Sequence, residues 1–205
     1  SDSMWDKAEN LMRHAAKLVK IPMGTQSGTA AFYGPKIDFI IESSIGREFA
    51  ISTNQIDLFM GTRFGLKYTD LDGKDKTPVI IHRAPLGSHE RFIGFLIEHY
   101  GGAFPVWLAP VQVKILPISD KQNTAAKKIM DQLKNFRVEL DDRAESLSAK
   151  IRDAETQKVP YLIILGDKEA KANKLAVRQR GKGDIGQMTA GQFADKINRE
   201  IINKI

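Results

Sequence analysis

The chain has 205 residues, of which 42% are hydrophobic and 27% are charged, and its formal net charge is +6. These proportions are ordinary for a globular protein, and no apolar run approaches the roughly 20 residues that a membrane-spanning helix needs. Cysteine is absent, which excludes disulfides and thiolate metal sites within the chain and favours the cytoplasm. The positive charge fits a polyanionic partner but does not establish one.

The first half of the sequence predicts a helix followed by an antiparallel sheet. Apolar residues recur at helical spacing over residues 4–19, with polar residues between them. Strand-like runs follow at residues 39–41, 49–58 and 79–81. A short turn containing Gly46 joins the first two runs and indicates a hairpin, while a polar turn at 70–75 precedes the third. A further helix is expected to open near Leu86.

The second half alternates between strand-like and helical patterns. Its predicted strands are residues 111–116, 136–140, 161–165 and 175–180. Its predicted helices are residues 120–133, 147–158 and 189–202. Such alternation favours a mostly parallel sheet that is covered on both faces. Because the sequence Gly-Gly-Ala-Phe-Pro at 101–105 separates the two patterns, we expect two domains, residues 1–105 and 106–205.

The segment 82–92 carries the most specific pattern in the chain. His82 ends a predicted strand, Gly87 and Ser88 form a flexible step, and Arg91 lies at the start of the next helix. A guanidinium is planar and always charged, which suits a phosphate or the face of a purine. Glycine lets the backbone approach a ligand. A single histidine, however, is more often a hydrogen-bonded structural residue than a metal ligand.

Two other groups of polar residues precede this segment. Tyr33 and Lys36 flank a Gly-Pro turn, which fixes the separation of a hydroxyl and a charge. Thr53, Gln55 and Asp57 fall on one face of a predicted strand, where hydrogen bonds can orient a hydroxylated ligand. From these residues alone, a structural turn and a sheet face exposed to water remain open alternatives.

A fourth candidate lies in the second half, where Gly-Asp-Lys-Glu at 166–169 follows a buried strand and Arg178 lies on the next one. Ligands of open α/β sheets bind beyond the carboxyl ends of strands, and arginine can stack on single-stranded RNA bases. A loop salt bridge is the alternative. The basic residues around this loop fit phosphate contacts or a solvated face. They are Lys171, Lys174, Arg178, Arg180 and Lys182.

Taken together, these segments resemble the threonyl-tRNA synthetases, a family of class II aminoacyl-tRNA synthetases. Gly-Ser-His-Glu-Arg at 87–91 resembles class II motif 3, and three other segments narrow the resemblance to the threonyl family. They are Phe-Tyr-Gly-Pro-Lys-Ile-Asp-Phe at 32–39, Pro-Val-Ile-Ile-His-Arg-Ala at 78–84 and Leu-Ala-Pro-Val-Gln-Val at 108–113. The resemblance covers nearly the whole chain and matches the C-terminal part of the family. Since the first residue is Ser1, we expect the chain to begin within a longer protein.

The resemblance implies a fold and a set of site residues. The fold is the C-terminal part of an antiparallel class II catalytic sheet, followed by an α/β anticodon-binding domain with a mostly parallel five-stranded sheet. The residues implied to act on the ATP side, with catalytic roles, are Arg91 and Lys36. Those implied to contact threonine are Tyr33, Thr53, Gln55 and Ser88. His82 matches one of three zinc ligands, the other two lying upstream. The residues implied to contact the anticodon are Glu169, Arg178 and Lys158.

The function implied by the resemblance is ATP-dependent attachment of threonine to tRNA-Thr, with Mg²⁺ accompanying ATP and zinc in the metal site. The longer protein is expected to be a cytoplasmic homodimer with no membrane association. Alone, the chain is expected to be inactive and to retain anticodon recognition. The alternative is a non-catalytic tRNA-binding or regulatory module derived from a class II synthetase, because Ala50, Gly61 and Ala144 depart from the family pattern.

Overall fold

The computed structural model describes residues 2–205 and divides them into two compact units, the first ending at Glu98 and the second comprising His99–Ile205. The division falls in the last turn of a helix that both units share. Among the described residues, no helix is both long enough and apolar enough to span a bilayer.

The first unit contains an antiparallel sheet and three helices. Its elements are α1 (Asp2–Leu18), β1 (Lys36–Glu42), β2 (Glu48–Asp57), α2 (Met60–Arg63), β3 (Tyr68–Thr69), β4 (Asp75–Lys76), β5 (Ile80–Ala84) and α3 (His89–Tyr100). The long strands pair in the order β1-β2-β5, every pair antiparallel, and β3 and β4 form a separate small hairpin. The antiparallel sheet expected from the sequence is therefore confirmed, although β1 begins three residues before the predicted strand.

The apolar side chains of the first unit are mostly exposed. Its buried hydrophobic residues, among those described, are Ala8, Met12, Ala16 and Phe95, and three of these four line one stripe of α1. Large side chains such as Leu18, Phe32 and Ile81 are between 69% and 80% exposed. A unit that buries so little apolar surface has a small hydrophobic driving force for folding.

The second unit is an α/β sandwich built on five strands. Its elements are β6 (Val113–Pro117), a short 3₁₀ helix (Asp120–Gln122), α4 (Asn123–Gln132), β7 (Val138–Leu140), α5 (Leu147–Thr156), β8 (Tyr161–Leu165), α6 (Asp167–Ala172), β9 (Leu175–Gln179), β10 (Gly183–Met188) and α7 (Ala190–Asn203). The strand order is β10-β9-β8-β6-β7. Strands β7, β6 and β8 are parallel, and β9 and β10 continue the sheet in antiparallel pairs. The predicted five-stranded α/β domain is confirmed.

Helices cover both faces of this sheet. On one face, strand residues such as Ile115 and Ile163 pack with α4 and with Phe193 and Ile197 of α7. On the other face, Ala154 of α5 packs with residues of β6 and β8. All five residues of β6 are buried. Four of these residues are apolar, as expected for a strand covered on two faces, and the fifth, Lys114, donates to Oε1 of Gln157 at 3.0 Å.

Two arginines fix the Gly/Pro-containing segment at the start of the second unit. Arg180 donates to the carbonyl oxygens of Ala103 and Phe104, at 3.0 and 2.6 Å, and to that of Lys158. Arg137 donates to three further carbonyls. They belong to Val106, Trp107 and Ala109. The segment that the composition marks as a boundary is thus bound to the body of the second unit.

Candidate functional site

One face of the first unit's sheet collects the polar residues that the sequence singled out. The strand register places Lys36, Gln55 and His82 side by side across β1, β2 and β5. Residues opposite each other in antiparallel strands project to the same face. Thr53 and Asp57 lie two residues before and after Gln55, so they share that face. We call these five residues the polar face.

Tyr33 reaches the polar face from a tight turn. Its hydroxyl donates to Oε1 of Gln55, and Nε2 of Gln55 lies 3.4 Å from the hydroxyl of Thr53. The turn depends on Gly34, because a Cβ there would lie 1.8 Å from the carbonyl oxygen of Ile56. The close backbone approach therefore joins Tyr33, Gln55 and Thr53 into one hydrogen-bonded set.

His82 is paired with a buried carboxylate. Its Nε2 lies 2.8 Å from Oδ2 of Asp57, whose side chain is 0% exposed. Oδ1 of Asp57 accepts from the amides of Phe59 and Met60 at 2.9 and 2.8 Å. Burial alone raises the pKa of the Asp57 carboxyl, but the hydrogen bonds from His82 and the two amides outweigh it and lower that pKa. The ring of Tyr33 lies 5.5 Å from the imidazole.

Lys36 is not free on the polar face. Its ammonium forms an ion pair with Asp38, which lies two residues further along β1. The two side chains are 25% and 21% exposed. An anionic ligand that binds Lys36 must therefore compete with the carboxylate of Asp38.

The segment 87–91, which the sequence singled out, forms a turn and the start of α3. Gly87 has φ +65°, which glycine adopts readily, and a Cβ there would lie 3.6 Å from the carbonyl oxygen of Ile51 in β2. The hydroxyl of Ser88 accepts from the amide of Arg91 at 3.3 Å and so caps the helix. Arg91 is exposed, and its guanidinium has no partner in the described part of the chain.

The described residues do not complete a metal site. No group of three or more His, Cys, Asp or Glu side chains in residues 2–205 is arranged to hold a metal ion. A catalytic zinc ion requires about three protein ligands and an open position. His82 alone does not meet this requirement.

Glu169 lies in a helix rather than in the predicted polar turn. Its Oε2 accepts from the amide of Gly166 at 3.1 Å, which caps α6, and its Oε1 accepts from Nε2 of Gln187 at 2.8 Å. Gln187 pairs with Ala176 on β9, two residues before Arg178. The partner of Glu169, Gln187, therefore projects to the same face of the sheet as Arg178, but Glu169 and Arg178 have no hydrogen bond between them among the described residues.

Arg178 lines a cleft of about 280 Å³. One terminal nitrogen of its guanidinium lies 3.5 Å from Oε1 of Glu155, and its Nε is buried without a hydrogen-bond partner in the described part of the chain. Lys158 follows α5 with φ +58° and is exposed. Its stem lies beside Gly102. The three predicted anticodon residues thus lie in one unit, and no hydrogen bond or ion pair joins them among the described residues.

The basic residues between 171 and 182 differ in their surroundings. Lys171, Lys174 and Lys182 are exposed, whereas Arg180 is held by backbone carbonyls, and its burial lowers the pKa of the guanidinium. The sequence did not predict this structural role. An arginine can hold backbone carbonyls or contact RNA phosphates, and no local feature of the sequence distinguishes these two roles.

Sequence reasoning also missed the side-chain partners of two buried carboxylates. It placed Asp57 on the polar face but did not identify its contact with His82, which lies 25 residues away. Asp141 was not considered, although its buried carboxylate accepts two hydrogen bonds from Arg143, at 2.8 and 2.7 Å. Asp57 is the last residue of β2 and Asp141 directly follows β7. This position at a strand end could have marked both residues as candidates for buried, paired carboxylates.

Comparisons with known proteins agree with the two units. Residues 2–100 match the family described as the tRNA synthetase class II core domain (G, H, P, S and T), and residues 112–200 match the anticodon binding domain. A threonine–tRNA ligase of Desulforamulus reducens is 49% identical over 206 residues, an alignment that covers 100% of this chain and 32% of that relative. The chain spans about a third of the length of the curated relatives it matches.

Solved structures show the same relationship. The RNA binding domain of threonyl-tRNA synthetase from Cryptosporidium parvum has a TM-score of 0.85 at 33% identity, covering 97% of this chain and 51% of that chain. Prolyl-tRNA synthetase from the same organism shares the fold, with a TM-score of 0.71 at 19% identity, covering 98% of this chain and 47% of that chain. The chain therefore carries sequences of a class II tRNA synthetase core domain and of an anticodon-binding domain, and over its whole length it is similar to threonine–tRNA ligases.

Proposed function

We propose that this chain forms part of a threonine–tRNA ligase, in which the first unit contributes to the threonine and ATP sites and the second unit binds the anticodon of tRNA-Thr. The observation that carries the proposal is the polar face, where Tyr33, Gln55 and Thr53 form one hydrogen-bonded set beside His82. The longer protein would be a cytoplasmic homodimer.

The polar face supplies hydrogen-bonding groups suited to an amino acid that bears a hydroxyl. Tyr33, Gln55 and Thr53 combine hydroxyl and amide groups, which can exchange their internal bonds for bonds to a ligand. A buried polar site rejects an analogue that lacks the matching hydroxyl more strongly than a methyl-sized pocket rejects a homologue. This supports threonine over valine as the substrate. Ser88, at the start of α3, is proposed to lie at the edge of the same site.

Adenylate formation requires stabilisation of negative charge. The carboxylate of threonine attacks the α-phosphorus of ATP, and the bond to pyrophosphate breaks, so charge develops on phosphate oxygens. Arg91 is exposed and unpaired among the described residues, and we assign it to phosphate or adenine contact. Lys36 would move from Asp38 to the adenylate. Mg²⁺ would accompany ATP, and zinc, for which this chain supplies only His82, would belong to the longer protein.

The second unit is proposed to read unpaired bases. Arg178 presents a partly exposed guanidinium with an unsatisfied Nε at a cleft, while Glu169 and the exposed Lys158 lie on the same unit. Single-stranded bases are recognised by hydrogen bonds to their edges and by stacking on guanidinium groups. The non-catalytic tRNA-binding module remains the second candidate. It is favoured by Ala144, an exposed side chain with no group to hydrogen-bond a base.

Binding to anticodon stem-loops tests the RNA role. Arg178→Ala should weaken binding to a threonine-type stem-loop by roughly 1–3 kcal/mol and affect a scrambled loop much less. Lys174→Ala, the matched control at an exposed lysine, should weaken both RNAs alike and lower the salt dependence. Equal losses on both RNAs for Arg178→Ala would refute base reading.

Exchange of pyrophosphate into ATP in the longer protein tests the enzymatic role. Arg91→Ala should abolish threonine-dependent exchange there. Arg83→Ala should leave exchange unchanged. Arg83 follows His82 on β5, so its exposed side chain projects away from the polar face. Normal exchange after loss of Arg91 would favour the non-catalytic module.

A further inference from the structure

Asp57 joins three elements of the first unit. It is the last residue of β2, its Oδ1 accepts from the two amides that lead into α2, and its Oδ2 contacts His82 on β5. Its side chain is 0% exposed, whereas that of His82 is 48% exposed. A buried carboxylate with three hydrogen-bond donors around it is held in one orientation.

The start of α2 is itself fixed by packing. A Cβ at Gly61 would lie 2.3 Å from the carbonyl oxygen of Pro78, which precedes β5. Gly61 is therefore required where α2 approaches the strand that carries His82. This gives a structural reason for a glycine at a position where the family pattern differs. It also limits the freedom of the Asp57 carboxylate, because the amides it accepts from belong to a constrained turn.

The hydrogen bonds determine which imidazole nitrogen carries the proton. Oδ1 of Asp57 accepts from two amides while Oδ2 contacts the imidazole, an arrangement that suits a carboxylate, whose oxygens only accept hydrogen bonds. A contact of 2.8 Å between Oδ2 and Nε2 thus needs a proton on Nε2. In a neutral imidazole the other nitrogen, Nδ1, is then the acceptor.

We propose that Asp57 is a positioning residue, which holds His82 in the tautomer protonated at Nε2 and leaves Nδ1 as the free lone pair of the ring. Nδ1 has no hydrogen-bond partner among the described residues. A carboxylate that binds one imidazole nitrogen fixes the orientation of the ring and its tautomer, as in metal sites. The catalytic meaning of this inference rests on the proposed function, but the tautomer is a property of this chain.

Nuclear magnetic resonance of the chain labelled with ¹⁵N-histidine tests the proposal. Long-range ¹H–¹⁵N correlations, recorded where imidazoles are neutral, should show His82 protonated at Nε2 and unprotonated at Nδ1. The His82→Gln variant assigns the signal among the four histidines. An Nδ1–H tautomer in the unsubstituted chain would overturn the proposal, and this result does not depend on the folding of an Asp57 variant.

The Asp57→Asn variant gives an independent readout. The asparagine oxygen can still accept from the amides of Phe59 and Met60, while its NH₂ group must donate to Nε2, so the His82 tautomer should invert. Asp38→Asn is the matched control, because it removes a carboxylate near the same face that does not contact His82, and it should leave the tautomer unchanged. A folded Asp57→Asn chain with an unchanged tautomer would contradict the proposal. The RNA-binding and exchange assays above do not depend on this tautomer signal. The proposed function and the tautomer proposal can therefore fail separately.

Discussion

Replacing Asp141 by asparagine should destabilise the second unit. The carboxylate is 2% exposed and accepts two hydrogen bonds from Arg143, which also donates to Asp153 of α5 at 3.0 Å. The cluster joins the loop after β7 to the helix that covers one face of the sheet. Asparagine has nearly the same shape, but it keeps one acceptor oxygen and places an NH₂ group against the guanidinium.

The structure sets the size of this effect. A hydrogen bond to a charged group contributes about 1.5–3 kcal/mol, and Arg143, whose side chain is 51% exposed, regains part of this from water. We therefore expect Asp141→Asn to lower the free energy of unfolding near neutral pH by about 1–3 kcal/mol.

The effect should also depend on pH. Hydrogen bonds from Arg143 lower the pKa of Asp141 despite its burial, which acts in the opposite direction. A carboxyl whose pKa is lowered by folding stabilises the protein fully above its unfolded-state pKa, which is roughly 4. This stabilisation is lost as the pH falls through the folded-state pKa. The difference between the two proteins should therefore shrink in acid.

Urea unfolding followed by the fluorescence of Trp107 measures this difference, with Trp5 replaced by phenylalanine in both proteins. Asp142→Asn is the control, because Asp142 is the exposed neighbour and should change stability by less than about 0.5 kcal/mol. Equal destabilisation at neutral and acidic pH, or none at all, would refute the assigned role of the carboxylate.

Two further outcomes are expected. Amide hydrogen exchange should be much faster in the first unit than in β6 and β8 of the second, because the first unit buries few apolar side chains among the described residues; uniform protection across both units would contradict this. Glu155→Gln should tighten binding of an anticodon stem-loop at low salt, because it removes the carboxylate that lies 3.5 Å from Arg178. In that titration, weaker binding by the variant would show that Glu155 helps to hold Arg178 in its binding geometry.

The sequence was most informative where hydrophobic periodicity and burial agree. The strand at 161–165 and the helix over 189–202 were predicted nearly to the residue, because the strand is continuously apolar and Thr189 caps the helix. Helix α6 was missed, since a six-residue polar helix has no apolar stripe to reveal it. Strand β10 was missed because glycines at 183 and 186 argue against a strand.

Residue types on the polar face were predictable, but their partners were not. The alternation in β2 placed Thr53, Gln55 and Asp57 together, whereas the contact with His82 depends on how β2 pairs with β5. Register across a sheet is set by long-range packing, which one sequence does not disclose. The ion pair of Lys36 with Asp38 likewise depends on side-chain conformations rather than on spacing.

The arginine contacts with the 103–109 segment decide where the second unit can be cut out for separate study. A piece that starts at residue 106 lacks the carbonyls of Ala103 and Phe104, and the guanidinium of Arg180 then loses two of its three acceptors. Arg180 directly follows β9, the strand that carries Arg178, and both arginines line the same cleft, so release of Arg180 would loosen the cleft proposed to read bases. An excised RNA-binding piece should therefore begin no later than Gly101. Poor RNA binding by a shorter piece would reflect the lost contacts of Arg180 and not the absence of an RNA site.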